Sequence, residues 1–444
     1  MSTFTIQTPC GAVTGEETDG ARFYRAIPYA EAERFEGPVM TEHWDSTLDA
    51  TQIESDCWQL CSYHDGPQEP GDFYYYEFLT KRDYHYAESP LQLNIIAPAD
   101  ARRLPVLAFI HGGGFEVGKI NELPYGTSTE YAKRGVVLVS IGYRLNIFGL
   151  YNGRNYCLED QLCAVKWLRK NIAAYGGDPD RITLMGQSAG AMSITDLCLT
   201  DALKGDIVGA VLMSGGGLIP RLTGPRRAAQ TAKFWQRVRD RAGAKTEADM
   251  KTLPAETLWE AWFYVSRHGA SVHNQQTGID DTIVPDVPQK LRKKGTSLDV
   301  PMLLGVASQD FLPPVVYGMA LRLGLQNARM GRKPVYGYFF DRPLPGNRFR
   351  AFHGSDLWYM FGNMDKSWRP FTAEDEALSQ KMIDCVANFV RTGDPNGPGL
   401  PDWPALSRKQ TGFRLFDGHS DGLISPARCR AKLWKTVFFD KGPM

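Results

Sequence analysis

Long apolar runs are missing from this 444-residue sequence. Its longest, such as Val106–Ile110 and Val136–Val139, are strand-sized. A membrane span needs at least about 18 apolar residues, so no transmembrane helix is read. A surplus of either charge is missing too: 50 Lys+Arg face 50 Asp+Glu, for a formal net charge of zero. Nucleic-acid binders and polybasic membrane proteins carry an excess of positive charge, so neither partner is expected. The first 20 residues have no basic stretch followed by an apolar core, so no secretory leader is read and a cytoplasmic protein is expected. No Asn-x-Ser/Thr triplet occurs, and no internal repeat, low-complexity tract or Pro/Ser-rich linker breaks the chain. Cysteine is sparse and scattered, at positions 10, 57, 61, 157, 163, 198, 385 and 429. Only Cys57 and Cys61 are close, and no Cys/His partners follow at metal-binding spacing. Buried structural thiols are therefore expected, with no metal and no cofactor.

What the chain does contain is ordinary globular material. A 43% hydrophobic and 23% charged composition lies far from the disordered range, and the length suffices for a large core. Leu91–Ile96 reads as a strand stopping short of Pro98. Leu104–Ile110 and Val136–Ile141 are apolar almost throughout, which suits strands covered on both faces of a mostly parallel sheet. Between Asp160 and Tyr175 the period changes: Leu162, Val165, Leu168 and Ile172 share one face, and Lys166, Arg169 and Lys170 lie off it. That is an amphipathic helix, ended by Gly176-Gly177-Asp178-Pro179. Ile182–Met185 reads as a strand and Ala189–Leu199 as a helix. Pro225 to about Arg267 is helical and more polar. Met302–Gly305 and Val335–Phe340 are late strands, and Ala373–Arg391 is a helix closed by Thr392–Pro395. Alternating strands and helices give an α/β architecture. The basic run Gln289–Lys294 reads as a solvated helix end, because the neutral chain supplies no wider positive field.

Two motifs carry chemistry. Gly186-Gln187-Ser188-Ala189-Gly190 is G-x-S-x-G placed between a strand and a helix, the context in which a serine is presented at the tip of a tight turn. The helix after Ser188 aims N–H groups at any oxyanion formed beside it. His111-Gly112-Gly113-Gly114-Phe115 follows an apolar strand. Its bare glycine amides suit an oxyanion hole, in which each donor is worth ~3–4 kcal/mol in kcat. A phosphate cradle would need GxxxxGK[ST] or GxGxxG, and neither is present.

Further segments carry a resemblance. Phe23–Ala30 with Arg34-Phe35 resembles FRGIPYA…RF, and Glu88–Asn94 resembles EDCLYLN. Tyr143–Gly149, the stretch Asp160–Pro179 and Arg391–Asn396 with Trp403-Pro404 match further segments of the same pattern. With the two motifs they make the chain similar, over nearly its whole length, to the type B carboxylesterases. The resemblance implies an α/β-hydrolase fold: a central, mostly parallel, twisted sheet flanked by helices. It implies a single domain over 1–444 with a lid-like helical insertion at about 218–284.

It also implies site residues. His353-Gly-Ser-Asp-Leu357 resembles the segment that carries the general base, which makes His353 the base acting on Ser188. Gly305–Phe311 resembles the segment of the triad acid and places Asp310 there. Asp280, Asp281 and Asp356 are the competing carboxylates, with Asp280-Asp281 resembling a structural turn. His111 is read as structural. His43, His64, His85, His268, His273 and His419 are left without a catalytic role. Gly113, Gly114 and Ala189 would supply the oxyanion N–H groups, and Ser214 would tether the acid or stand as a plain turn serine. The implied reaction is hydrolysis of a small-molecule ester through an acyl-serine, in a protein expected to be a monomer, with a dimer as the alternative. Feruloyl or hydroxycinnamoyl esters are an alternative specificity. An amide hydrolase and a non-catalytic member of the fold are alternatives of other classes.

Three departures matter. Gln187 replaces the glutamate usual before the nucleophile, so weak preference for cationic esters is expected. Pro90 stands where relatives have a cysteine, so that disulfide cannot form. Phe73–Phe78 is an aromatic run where relatives have a loop at the gorge mouth; it reads either as a wall stacking on aryl substrates or as loop tyrosines.

Overall fold

The computed structural model describes residues 2–52, 55–59, 73–79, 85–216, 224–268, 276–280 and 282–439. Cys61, His64, His273 and Asp281 lie outside the described residues, as do the start of the insertion and the stretch 269–275. A 13-stranded sheet organises the rest. Its strands are β1 (Ser2–Thr8), β2 (Gly11–Thr18), β3 (Ala21–Pro28), β4 (Leu48–Asp49), β5 (Gln92–Pro98), β6 (Leu104–Ile110), β7 (Val137–Ile141), β8 (Gly177–Gln187), β9 (Gly209–Met213), β10 (Met302–Ala307), β11 (Val335–Phe340), β12 (Phe413–Phe416) and β13 (Leu423–Ile424). The order is β1-β2-β3-β5-β7-β6-β8-β9-β10-β11-β12-β13, with β4 beside β2. From β7 to β12 every pairing is parallel; at the two margins the pairings are antiparallel, except that the short β4 lies parallel to β2.

The parallel strands hold the largely apolar runs, and β7, β9, β10 and β11 are buried at every residue. Two apolar cores form. One includes Val106, Val139, Leu184, Trp167 and Ile194, and the other Leu107, Met185, Val211, Trp358 and Phe389. Val106 and Leu107 are neighbours on β6 whose side chains alternate between faces, so the two cores lie on opposite sides of the sheet. The amphipathic helix runs Tyr156–Asn171, continues as a 3₁₀ turn over Ile172–Tyr175 and stops at Gly176 with φ +86°.

The polar helical region packs as a cluster of its own. Arg226-Arg227 pairs with Gly278-Ile279 at its base. Helices Ala228–Ala242 and Ala255–Arg267 bury Phe234, Trp235, Leu258 and Trp262 against Phe35, Phe148 and Tyr151 of the main body. Among the described residues no helix is long and apolar enough to cross a membrane.

Two readings are corrected. In the helix Pro288–Lys294, Lys293 and Lys294 are exposed but Arg292 is buried, so the basic run is only partly solvated. Its spacing brings Arg292 onto the inward face beside Leu291. Phe73–Phe78 is a short helix, not a loop. Glu77 anchors it: the buried carboxylate accepts Arg369 Nε at 2.7 Å and Trp358 Nε1 at 2.8 Å. Seven described cysteines are free, and all are buried except the half-buried Cys163.

Candidate active site

β8 ends at Gln187, and a helix, Ala189–Leu197, begins immediately after Ser188. Ser188 makes the reversal with φ +55° and ψ −119°, a region that costs a non-glycine residue about 1–3 kcal/mol. The turn is tight enough that a Cβ on Gly190 would stand 2.0 Å from the Ile110 carbonyl oxygen. Glycine there is a requirement of close backbone approach. Ser188 N–H donates to Met213 O at 2.8 Å, tying the turn to β9.

The glycine loop leaves β6 beside this turn. Gly113 (φ +100°) and Gly114 (φ +65°) adopt conformations closed to most side chains. Among the described residues no acceptor takes the N–H of either. Both glycines, Ser188 and Ala189 border one cavity of about 620 Å³. His111 is structural, as read: its ring stacks on Tyr143 at 4.5 Å, and burial lowers its pKa to about 4.

His353 borders the same cavity and is buried. Its Nδ1 stands 2.5 Å from Asp310 Oδ1. The loops that carry this pair are fastened together by Gln309. Its N–H donates to Ala351 O, and its Oε1 accepts Arg350 N–H, each at 2.8 Å. Asp310 itself accepts from Phe311 N–H at 2.8 Å and Ala307 N–H at 3.2 Å. Ser214 does not tether the acid: its buried Oγ has no hydrogen-bond partner among the described residues. Backbone amides take that role, because Asp310 folds back over the end of β10.

The competing groups are elsewhere. Asp280 Oδ1 accepts three successive backbone amides, from Thr282, Ile283 and Val284, as a structural turn should. Asp356 is buried and accepts Tyr338 OH at 2.6 Å; burial raises its pKa to about 6. His43, His85, His268 and His419 are exposed.

His353 Nε2 is 3.2 Å from the Gln187 amide nitrogen, and no hydrogen bond joins it to Ser188 Oγ. Sequence reasoning registered Gln187 only as a lost charge. It also missed the charged members of the cavity wall: Glu116, Glu122 and Arg267. Arg267 ends the helix Ala255–Arg267 and pairs with Glu116, just past the glycine loop, at 2.8 Å. Glu116 and Glu122 follow the glycines closely enough to have been suspected; Arg267 carried no such signal. Tyr74, Tyr75 and Phe78 of the aromatic helix border the cavity, whereas Tyr76 does not.

Glu122 gives the cavity a pH-dependent charge. Burial raises its pKa to about 7, against weaker lowering by a Tyr125 hydrogen bond. The raised carboxyl is neutral below that pH and anionic above it. The kcat/KM ratio of a monoanionic ester to its neutral isostere should therefore fall by about threefold to tenfold between roughly pH 6 and 8. The ratio cancels titrations common to both substrates. Glu122→Gln should flatten it, and a ratio that falls unchanged in that variant would assign the charge to another group.

The carboxylesterase family profile matches residues 2–322 and 316–423. The chain is 29% identical over 478 residues to the para-nitrobenzyl esterase of Bacillus subtilis (strain 168), covering 93% of this chain and 94% of that protein. Among solved structures, a PNB esterase has a TM-score of 0.81 at 25% identity, over 97% of this chain and 99% of that one. The carboxylesterase EST55 of Geobacillus stearothermophilus has a TM-score of 0.80 at 27% identity, again over 97% and 99%.

Proposed function

Since the chain belongs to the carboxylesterase family, and so is an ester-hydrolysing enzyme of the α/β-hydrolase fold, we propose that Ser188, His353 and Asp310 carry that hydrolysis through an acyl-serine. The observation that carries this reading is the 2.5 Å contact of His353 Nδ1 with Asp310, in the wall of the cavity that holds the strained Ser188. An acceptor-only carboxylate on Nδ1 leaves the Nε2 lone pair free to take a proton. His353 turns that lone pair to Ser188 Oγ, which attacks the ester carbonyl. The N–H groups of Gly113, Gly114 and Ala189 receive the oxyanion. His353 then gives the proton to the leaving alcohol, and water repeats the sequence on the acyl-enzyme. Every group in these steps comes from this chain acting on a small-molecule ester. The test is hydrolysis of short p-nitrophenyl esters by the wild type and by Ser188→Ala.

The cavity favours neutral esters with an aryl group. Tyr74, Tyr75 and Phe78 bring aromatic rings to its lining, and Leu312, Val316 and Met319 bring aliphatic groups. The relative from Bacillus subtilis is named for a para-nitrobenzyl ester, which also carries an aromatic ring. Each ring stacking on a substrate is worth about 0.5–1.5 kcal/mol beyond burial. Tyr74→Ala and Tyr75→Ala should thus each lower the kcat/KM ratio of benzyl to n-hexyl esters by about threefold to tenfold. An unchanged ratio in both variants retires the stacking idea. Feruloyl esters belong in the same panel as the larger aryl case.

A further inference from the structure

We propose that Gln187 is a positioning residue for the base: its side-chain N–H holds the Nε2 lone pair of His353 in the free enzyme, keeps the proton on Nδ1, and surrenders the nitrogen to Ser188 when substrate fills the cavity. The inference rests on the reading of His353 as the base.

The geometry gives each nitrogen of the ring one partner. Nδ1 faces Asp310 Oδ1 at 2.5 Å, and a carboxylate there can only accept, so Nδ1 carries the hydrogen. In the neutral ring Nε2 is then an acceptor. The group presented to it, at 3.2 Å, is the donor end of the Gln187 amide. The opposite orientation would set a carbonyl oxygen against a lone pair. The slot itself fixes the amide. A Cβ on Gly112 would meet Gln187 Oε1 at 2.4 Å, and one on Gly354 would reach Gln187 Nε2 at 3.4 Å. Gln187 therefore lies buried between the glycine loop and the residue that follows the base.

A single lone pair cannot serve two donors well. Gln187 N–H and Ser188 O–H, on adjacent residues, compete for Nε2, and Gln187 holds it in this structure. Occupying Nε2 with a neutral donor favours the uncharged ring, because the imidazolium form carries a hydrogen there and would meet the amide N–H head on. A glutamate at the same position would do the reverse: it accepts, so it would favour a protonated Nε2 and hold the cation. Other groups near the ring are Asp310, the buried Asp356 three residues on, and the ring of Phe311. Those stay the same across substitutions at 187, so a change between variants reports position 187 alone.

The experiment is the pH profile of kcat/KM for p-nitrophenyl acetate in the wild type, Gln187→Met and Gln187→Glu, with ¹⁵N NMR of the histidine ring in the free wild type. The Gln187→Glu acid limb should move to higher pH by roughly one unit or more, since an opposite charge beside the cationic ring favours it. Gln187→Met fills the slot without a donor, and its limb should move the same way by a smaller amount. The wild-type spectrum should show His353 protonated at Nδ1 with Nε2 accepting. Superimposed acid limbs in the three proteins would overturn the proposal. So would a free-enzyme ring protonated at Nε2, which can be read even if both variants fail to fold. Ser188→Ala separates the two levels of the argument. If it retains activity, the serine mechanism fails; if activity depends on Ser188 while the limbs superimpose, only the role of Gln187 fails.

Discussion

Ser188→Ala is expected to lower kcat for a short p-nitrophenyl ester by about 10⁵- to 10⁶-fold, because removing a nucleophile abolishes the covalent route and leaves only binding and oxyanion stabilisation. Stability should hardly change. Alanine keeps the same strained backbone at φ +55°, and Ser188 Oγ makes no hydrogen bond to the base in the free enzyme. Ser188→Gly sharpens the point. It should be equally inactive yet more stable by about 1 kcal/mol, since glycine accepts positive φ without the side-chain penalty. Urea unfolding of the three proteins beside their kcat values makes the comparison. An alanine variant within tenfold of wild type would place the nucleophile elsewhere. A glycine variant less stable than the alanine variant would show that the turn is not strained as its dihedrals indicate.

The second large effect belongs to the acid. Asp310→Asn should cost about 10⁴-fold in kcat at neutral pH with KM little changed. The amide would offer its N–H to Nδ1 and drive the proton to Nε2, the nitrogen that must accept from Ser188. The carboxylate is held at both oxygens, Oδ1 by Phe311 N–H and Oδ2 by Ala307 N–H, so the asparagine sets its NH2 against a backbone donor in either orientation. Asp356→Asn is the control. Asp356 is also buried near the base, but it is held by Tyr338, and its pKa of about 6 reflects burial rather than a contact with the ring. Its replacement should change kcat by less than about tenfold. If the two asparagine variants lose activity equally, the acid assignment cannot rest on Asp310 alone.

The parts of the molecule legible in the sequence are those whose causes are local. Runs such as Val137–Ile141 are apolar at all but one position because both faces of the sheet are covered, and that pattern survives in one dimension. The turn at Ser188 needs small neighbours, so Gly186 and Gly190 mark it. Asp310 and His353 entered by resemblance, and the structure brings them into contact. What was not legible depends on partners far along the chain. Phe73–Phe78 gave no sign of being helical, because its anchor is a buried ion pair between Glu77 and Arg369, 292 residues apart. Ser214 looked well placed beside the acid, but backbone amides had already satisfied Asp310. Arg292 sat in a run of charges whose neighbours are exposed, and only packing turned it inward. The contact of Gln187 with His353 joins two residues that no spacing rule relates.

The bridge from Arg267 to Glu116 has an evolutionary corollary. It fastens the end of the helix Ala255–Arg267 to the residue two places beyond Gly114. Recognition and chemistry are thereby harnessed to one another: replacing this helix would tug on the very amides that must greet the negative oxygen. Specificity in such a scaffold should diversify by exchanging matched halves, with the arginine and its glutamate inherited as a unit.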